Sequence, residues 1–277
     1  MKAVVEIKGG FGNQIFQYAF ANYLKTKGYR VTVNINKSNV QRFPLDNKNF
    51  GFQESSKFEV ALYKFLYFVS QKSVFKNSIN KLITKIFIKE YNLESFLQTG
   101  NRYFNHFDGY WQNIDLIKNQ KKYLLESLKK MKALDDNLNQ NIHEGKTLVH
   151  VRRGDYVDVG ENLNIKFYEE SITYCKENIK NFSFEVFTDD FDWVVKQPIF
   201  NQAKAIHGPK DNIDDLLTDI TRMFNFENFI IGNSTFSLIP ALLSKSKTPL
   251  IIVADPWMKS SKQDLNFEKS WIKIKNY

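Results

Sequence analysis

The chain contains a single cysteine, Cys175, which excludes a disulfide within the chain and a cysteine-built metal cage. A reducing compartment is therefore expected. No stretch reaches the ~18 uncharged residues that a membrane span needs. The opening residues Met1-Lys2-Ala3-Val4-Val5-Glu6-Ile7 enter an apolar strand pattern without the core and cleavage site of a signal peptide. The protein is thus expected in the cytoplasm. Acidic residues are in deficit, 30 Asp plus Glu against 39 Lys plus Arg, for a net charge of +9. That excess suits a phosphorylated substrate, an anionic membrane surface or nucleic acid, and charge alone does not choose among them. Internal repeats and low-complexity linkers are also missing.

What is present is a globular composition. Hydrophobic residues make up 43% and aromatic residues 15%, including 25 Phe and 13 Tyr, enough to build a core without a metal or disulfide staple. At 277 residues the chain fits two domains of roughly 100–150 residues.

The apolar pattern predicts a strand at Val4–Ile7, a glycine turn, a helix from Asn13 to Lys27 ending at Gly28, and a strand at Tyr29–Ile35. Residues 37–56 read as loop, 57–98 as a mainly helical insertion, 103–112 as a short aromatic segment, and 113–142 as helical. A second alternation follows, with strands at Thr147–Val151, Phe184–Thr188, Phe229–Gly232 and Pro249–Val253 and helices at Ile165–Ile179, Ile213–Phe226 and Thr235–Ser244. Strands alternating with helices predict two parallel-sheet α/β lobes, residues 1–145 and 146–277.

Four segments carry candidate chemistry. The turn Gly9-Gly10-Phe11-Gly12-Asn13-Gln14 lets backbone N–H groups and a helix start approach an anion or a sugar hydroxyl, and it can equally be a plain turn. It is not a dinucleotide fingerprint, because Ile15 stands where the third glycine belongs and the second strand ends in Asn34 and Asn36 rather than an acid. The second segment, His150-Val151-Arg152-Arg153-Gly154-Asp155-Tyr156, sits at the end of an apolar strand, where α/β sheets bind ligands. Guanidinium forks there match the oxygens of a diphosphate, or they pair structurally with Asp155 or with Asp189 and Asp190. Thr188-Asp189-Asp190, followed by Asp192, could accept hydrogen bonds from a base or ribose, bind a divalent metal, or cap a helix. Gly232-Asn233-Ser234-Thr235-Phe236-Ser237 places small hydroxyl residues at a helix start, as an anion site or a simple cap.

In this order the motifs resemble the α-1,2-fucosyltransferases of bacterial polysaccharide clusters, a family-eleven type of glycosyltransferase. The resemblance runs from Gly9 to about Trp257 and includes Phe107-Asp108-Gly109-Tyr110-Trp111-Gln112 and Phe167-Tyr168. It implies a GT-B-like fold of two Rossmann-like lobes and an inverting, metal-independent transfer of L-fucose from GDP-β-L-fucose to a galactoside hydroxyl. No cofactor is implied. His150 with Asp189 or Asp190 would then face the base and ribose, and Arg152 and Arg153 the diphosphate. Ser234, Thr235 and Phe236 would cap its far side, while Gly12, Asn13 and Gln14 of the acceptor-side lobe would approach the sugar or leaving oxygen. Asp155, Asp108 and Glu161 are the candidates for the base, with assistance from the leaving phosphate as the alternative. The family usually continues after Asn-Ser-Thr-Phe-Ser with two tryptophans, where this chain has Leu238-Ile239-Pro240, and Met223-Phe224-Asn225-Phe226 replaces a usual Met-x-x-Cys. These departures leave the phosphate groups intact and fall on the shape of the sugar pocket.

The partners expected are GDP-fucose and a saccharide acceptor, free or lipid-linked, and not nucleic acid, since no RNA-binding motif accompanies the lysines. Seven of these, Lys57, Lys64, Lys72, Lys76, Lys81, Lys85 and Lys89, interleave with aromatic and aliphatic residues between 57 and 90. They read either as a solvated helix face or as a surface for the inner leaflet of an anionic membrane.

Overall fold

The computed structural model describes residues 1–35, 45–71, 87–90, 102–131, 142, 144–210, 213–260 and 265–276. The chain divides into two compact units, Met1–Leu128 and Lys129–Tyr277, and each is built on a parallel sheet with helices against it. Two such α/β units make the chain GT-B-like in construction.

In the first unit, β1 (Lys2–Ile7) is a central strand with Ala3, Val4, Val5 and Ile7 buried, as expected of a parallel strand covered on both faces. The helix α1 (Phe11–Thr26) follows. Its buried residues run almost all round, from Phe11 to Leu24, so it is a core helix rather than a surface one. It stops at Gly28, whose φ of +84° is a conformation glycine adopts without steric cost. The strand β2 (Arg30–Ile35) returns parallel to β1.

The helix α2 (Lys57–Gln71) lays Tyr63, Leu66 and Val69 against Val4. Two short strands, β3 (Phe87–Glu90) and β4 (Phe104–Phe107), complete the order β2-β1-β4-β3 among the described residues. The expected helical insertion is thus corrected at Phe87–Glu90, a strand paired in register with β4. A short apolar run such as Ile86-Phe87-Ile88 has no periodicity to separate helix from strand, and the neighbouring strand decides. The rest of that insertion, 72–86 and 91–98, lies outside the described residues, as do 37–44 of the expected loop and 132–141 of the expected helix. The helices α3 (Ile114–Asn119) and α4 (Lys121–Lys129) follow β4.

The second unit runs β5 (Lys146–Val151), α5 (Gly154–Asp158), α6 (Ile165–Asn178), β6 (Ser183–Thr188), α7 (Phe191–Val194), a 3-10 turn at Pro198–Gln202, β7 (Ile206–His207), α8 (Ile213–Met223), β8 (Asn228–Ile231), α9 (Thr235–Leu243), β9 (Ile251–Asp255) and β10 (Ile272–Lys275). Its sheet has the order β10-β9-β8-β5-β6-β7 with every pair parallel. This is the doubly wound Rossmann order, in which the connections leave β5 in one direction and β8 in the other. One face is a core in which Val149, Val151, Val186, Ile230 and Ile252 meet Phe167, Tyr168 and Ile172 of α6. By strand alternation His150 lies on the opposite face and Arg152 just beyond the strand end.

A three-strand ion cluster ties the edge of this sheet. Glu185 on β6 accepts from Lys146 Nζ of β5 at 2.8 Å and meets His207 Nε2 of β7 at 2.7 Å, and His207 stacks on Phe187 with centroids 4.3 Å apart. The hydrogen bond from His207, opposed by burial and reinforced by Lys146, holds the Glu185 carboxyl down at about 2. A depressed carboxylate adds stability that is full above its unfolded value near 4.5 and is lost as pH falls through about 2. Replacing Glu185 by Gln is therefore expected to cost about 1–2 kcal/mol at pH 7, allowing for the solvent that reaches the pair. In urea titrations the gap between variant and parent should narrow between pH 5 and pH 3. A gap that does not change with pH would remove the ion cluster from the account.

Candidate functional site

In a doubly wound sheet the chain leaves two neighbouring strands in opposite directions and opens a crevice at their carboxyl ends. Here those strands are β5 and β8. The segment after β5 is Arg152-Arg153-Gly154-Asp155, and the segment after β8 is Gly232-Asn233-Ser234. The strand order of the sheet thus brings the arginines and the hydroxyl-rich turn to neighbouring strand ends.

The arginines are held by carboxylates from the neighbouring strand end. Asp189, just past β6, accepts the Arg153 backbone N–H at 2.7 Å through Oδ1 and pairs with Arg152 Nη1 at 2.8 Å through Oδ2. Arg152 Nη2 donates to Asp155 Oδ1 at 2.6 Å. Asp190 accepts from Arg153 Nε at 3.1 Å through Oδ2 and caps α7 by accepting from Trp193 N–H through Oδ1, also at 3.1 Å. The Arg153 guanidinium carbon lies 4.0 Å over the Trp193 ring, a cation–π contact that fixes the plane of the fork. Asp189 and Asp190, read from sequence as facing a base and ribose, are in this structure the partners of the two arginines. The structural pairing and the anion-binding reading are compatible, because a guanidinium has five N–H donors and each carboxylate contact occupies one edge.

Gly154 is where the backbone permits this approach. A Cβ on it would stand 2.7 Å from Asp189 Oδ2, closer than a side chain can stand to a carboxylate already bonded on both oxygens.

His150 is buried, with Nδ1 3.1 Å from Ser237 Oγ and its ring against Phe236 at 5.6 Å between centroids. Burial, seconded by the positive Arg152, drives its imidazole down to about 3. The ring is therefore neutral at ordinary pH and acts as a hydrogen-bonding group, not as a proton carrier. Ser234 caps α9, its Oγ accepting from Phe236 N–H at 3.3 Å, and Thr235 opens the helix.

A brace invisible to motif reading lies beneath. Tyr156 donates to the Asn233 carbonyl at 3.1 Å, and the Asn233 amide donates to the Glu161 carbonyl at 2.7 Å. The Glu161 carboxylate accepts from the backbone N–H groups of Lys259 and Ser260 at 2.7 and 2.8 Å. The loops after β5, β8 and β9 are thus tied together. Burial alone would raise the Glu161 carboxyl, but these bonds more than offset it and hold it low. Glu161, a candidate base by sequence, is a strut. The strongest sequence signal for the brace is the Asn233 side chain between Gly232 and Ser234, but nothing in a linear pattern names its partners.

The first unit is described by itself. Gly9 has a φ of +80°, and a Cβ there would lie 2.9 Å from Asn13 Nδ2. Asn13 Oδ1 accepts from Gln112 Nε2 at 2.8 Å. Gln14, expected near the sugar, is fully buried, and its amide bonds Gly9 O and Leu45 N at 3.1 and 2.8 Å. It shapes the turn from inside. Gly12 is likewise buried within α1. Asp108 pairs with Lys8 at 2.7 Å and Lys89 at 3.2 Å. Burial pushes its carboxyl up, but the two lysines outweigh that and hold it below its ordinary value.

Among the described residues no group of three or more His, Cys, Asp or Glu could hold a metal ion, and no helix is long and apolar enough to cross a membrane.

The sequence pattern of glycosyl transferase family 11 matches residues 2–275. The chain belongs to glycosyl transferase family 11. This bears out the family expected from the motifs. An alpha-1,2-colitosyltransferase of Escherichia coli is 29% identical over 307 aligned positions, covering 98% of each chain. The O-antigen biosynthesis glycosyltransferase WbnK of Escherichia coli is 24% identical over 97% of this chain and 99% of its own. Among solved structures, the NodZ alpha-1,6-fucosyltransferase soaked with GDP-fucose aligns with 88% of this chain and 92% of that one, at 12% identity and a TM-score of 0.44.

For this family 11 chain the arginine cluster generates a direct test. Gly154→Ala should displace the Asp189 carboxylate and loosen both arginines, lowering stability by roughly 1–2 kcal/mol, as for a disturbed polar network that is only partly buried. The thermal midpoint should fall by several degrees. An unchanged midpoint would mean that Asp189 moves aside without consequence and does not latch the loop.

Proposed function

We propose that this glycosyltransferase moves L-fucose from GDP-β-L-fucose to a galactoside hydroxyl with inversion, forming an α-1,2 linkage, and that the second unit holds the GDP moiety. The observation that carries this reading is the pair of guanidiniums fixed in orientation at the switch point of a Rossmann-ordered sheet. Cations in that place suit a diphosphate. The Ser234–Thr235 helix start adds backbone N–H donors. His150, neutral and hydrogen-bonded, is assigned to the nucleoside side.

In the reaction so proposed, the acceptor hydroxyl oxygen attacks C1 of the sugar and the bond from C1 to the β-phosphate oxygen breaks. The electron pair stays on the diphosphate, and the hydroxyl proton passes to a base. Arg152 and Arg153 meet the charge that grows on the leaving oxygen, so no metal is required. Of the three carboxylates considered, Asp155 is the open one, with 53% of its side chain exposed. We assign it the proton.

A second reading has a specific basis. The relative at 29% identity is a colitosyltransferase, and Leu238-Ile239-Pro240 departs from the fucosyl pattern, so a GDP-linked colitosyl donor is the alternative. Calorimetry with GDP-fucose, GDP-colitose and UDP-sugars separates the two.

Metal-free GDP should stabilise the fold by about 2.7 kcal/mol at 100 times its dissociation constant, and UDP should do much less. Equal effects of GDP and UDP would overturn the guanine assignment, and a manganese requirement would overturn the metal-free reading of the arginines. Arg152→Ala should lower turnover by about 10²–10³, the usual loss for one preorganised donor, and Arg152→Lys should recover little because the planar fork is gone. If folded Arg152→Ala keeps more than about a tenth of parental turnover, Arg152 is not the leaving-group clamp. Asp155→Asn keeps a hydrogen-bond acceptor for Arg152 and removes the base, so turnover should drop by about 10²-fold or more while GDP affinity holds. A parallel loss of GDP binding would instead make Asp155 an orienter of Arg152.

A further inference from the structure

The helix α2 has two faces of different chemistry. Tyr63, Leu66 and Val69 are buried against the sheet. On the other side stand Phe58, Phe65 and Phe68, exposed by 78%, 61% and 54%. Their spacing of seven and then three residues places them in one stripe along the helix. Among the described side chains of the helix, Lys57, Ala61 and Lys64 are the other exposed ones. No carboxylate is exposed there: Glu59 is half-buried and accepts a hydrogen bond from Thr32 Oγ1 at 3.3 Å.

A helix face that only meets water carries charges of both signs and few large rings. This one carries phenylalanines flanked by lysines. The one-sided charge extends along the sequence, since from Val60 to Lys89 there are six lysines and no Asp or Glu. Rings that seek the acyl boundary beside ammonium groups that seek phosphate are what an interfacial helix presents to a bilayer. A nucleic-acid surface would have little use for a row of exposed phenyl rings with no exposed polar group but lysine between them to read a base or a sugar. A self-association face would bring the lysines of two copies together.

We infer that the exposed face of α2 docks the enzyme on an anionic phospholipid surface, with Phe58 and Phe65 entering the interface and Lys57 and Lys64 meeting lipid phosphates. Docking of this kind holds the catalyst at the bilayer surface without a spanning segment. No residue of α2 belongs to the proposed GDP-binding set, so the two can be tested independently.

The experiment is flotation of the full chain with vesicles of 30% phosphatidylglycerol in phosphatidylcholine and with pure phosphatidylcholine vesicles, at low and high salt. Binding is expected to the anionic vesicles only and to weaken with salt. The double variants Phe58→Ser/Phe65→Ser and Lys57→Glu/Lys64→Glu should each partition at least tenfold less. GDP binding and the thermal midpoint, measured beside these, should match the parent. The inference is overturned if the parent stays off anionic vesicles or binds neutral ones equally. It is also overturned if either variant floats as well as the parent, if an oligonucleotide competes the parent off the vesicles, or if light scattering shows a dimer that the phenylalanine variant abolishes. A variant with a lowered midpoint is replaced by Phe65→Ser alone, judged by the same criteria. Failure here leaves the GDP measurements untouched, and failure of GDP binding leaves the vesicle result standing.

Discussion

The Asp189 carboxylate is the contact on which the crevice of the second unit depends. One oxygen fixes the backbone where β5 ends, at the Arg153 N–H, and the other fixes the Arg152 side chain. A single group thereby couples the path of the loop to the aim of a guanidinium. It can do so because β6 is the immediate neighbour of β5 in register, with Val151 opposite Thr188, so the residue after each strand reaches the other. Gly154 supplies the missing bulk. Charge-assisted bonds of this sort are worth more in a partly buried site than in water, and geometry sustained from two directions is what electrostatic catalysis requires.

Much of this was legible in the sequence. Continuous apolar runs gave β5 and β6 within a residue, and 3.6-residue spacing gave α1 and α6, because those elements are buried and their patterns are long. Among the elements that escaped are three strands whose patterns are short or ambiguous. β10 is an alternation of Ile and Lys at a sheet edge, β7 has two residues, and Phe87–Glu90 was absorbed into a helical stretch. All three owe their conformation to a partner strand, and a partner is not written in the local sequence.

The site divides along the same line. Strand-end position identified Arg152, Arg153, Asp189, Asp190 and Ser234 as neighbours, since topology depends on the order of elements. The sequence could not say that Asp190 would split its two oxygens between Arg153 and the α7 cap, that Trp193 would lie under a guanidinium, or that Glu161 would brace two backbone amides. Each of these requires contact across many residues. Gln14 shows the converse, since its place beside the glycine turn suggested a ligand group while its burial makes it a structural one.

The arginine cluster carries two formal positive charges, Arg152 and Arg153, against three formal negative ones, Asp155, Asp189 and Asp190. A crevice with that balance is no deep electrostatic well for polyphosphate. Its cations are oriented but largely compensated, so on the proposed function an incoming diphosphate would gain from directional hydrogen bonds more than from bulk attraction. On the proposed function, a nucleoside diphosphate left behind after sugar transfer would then depart from a site that does not cling to it. In many enzymes product release, and not chemistry, sets the rate. On that same reading, neutralising the guanidiniums in advance would trade ground-state affinity for turnover.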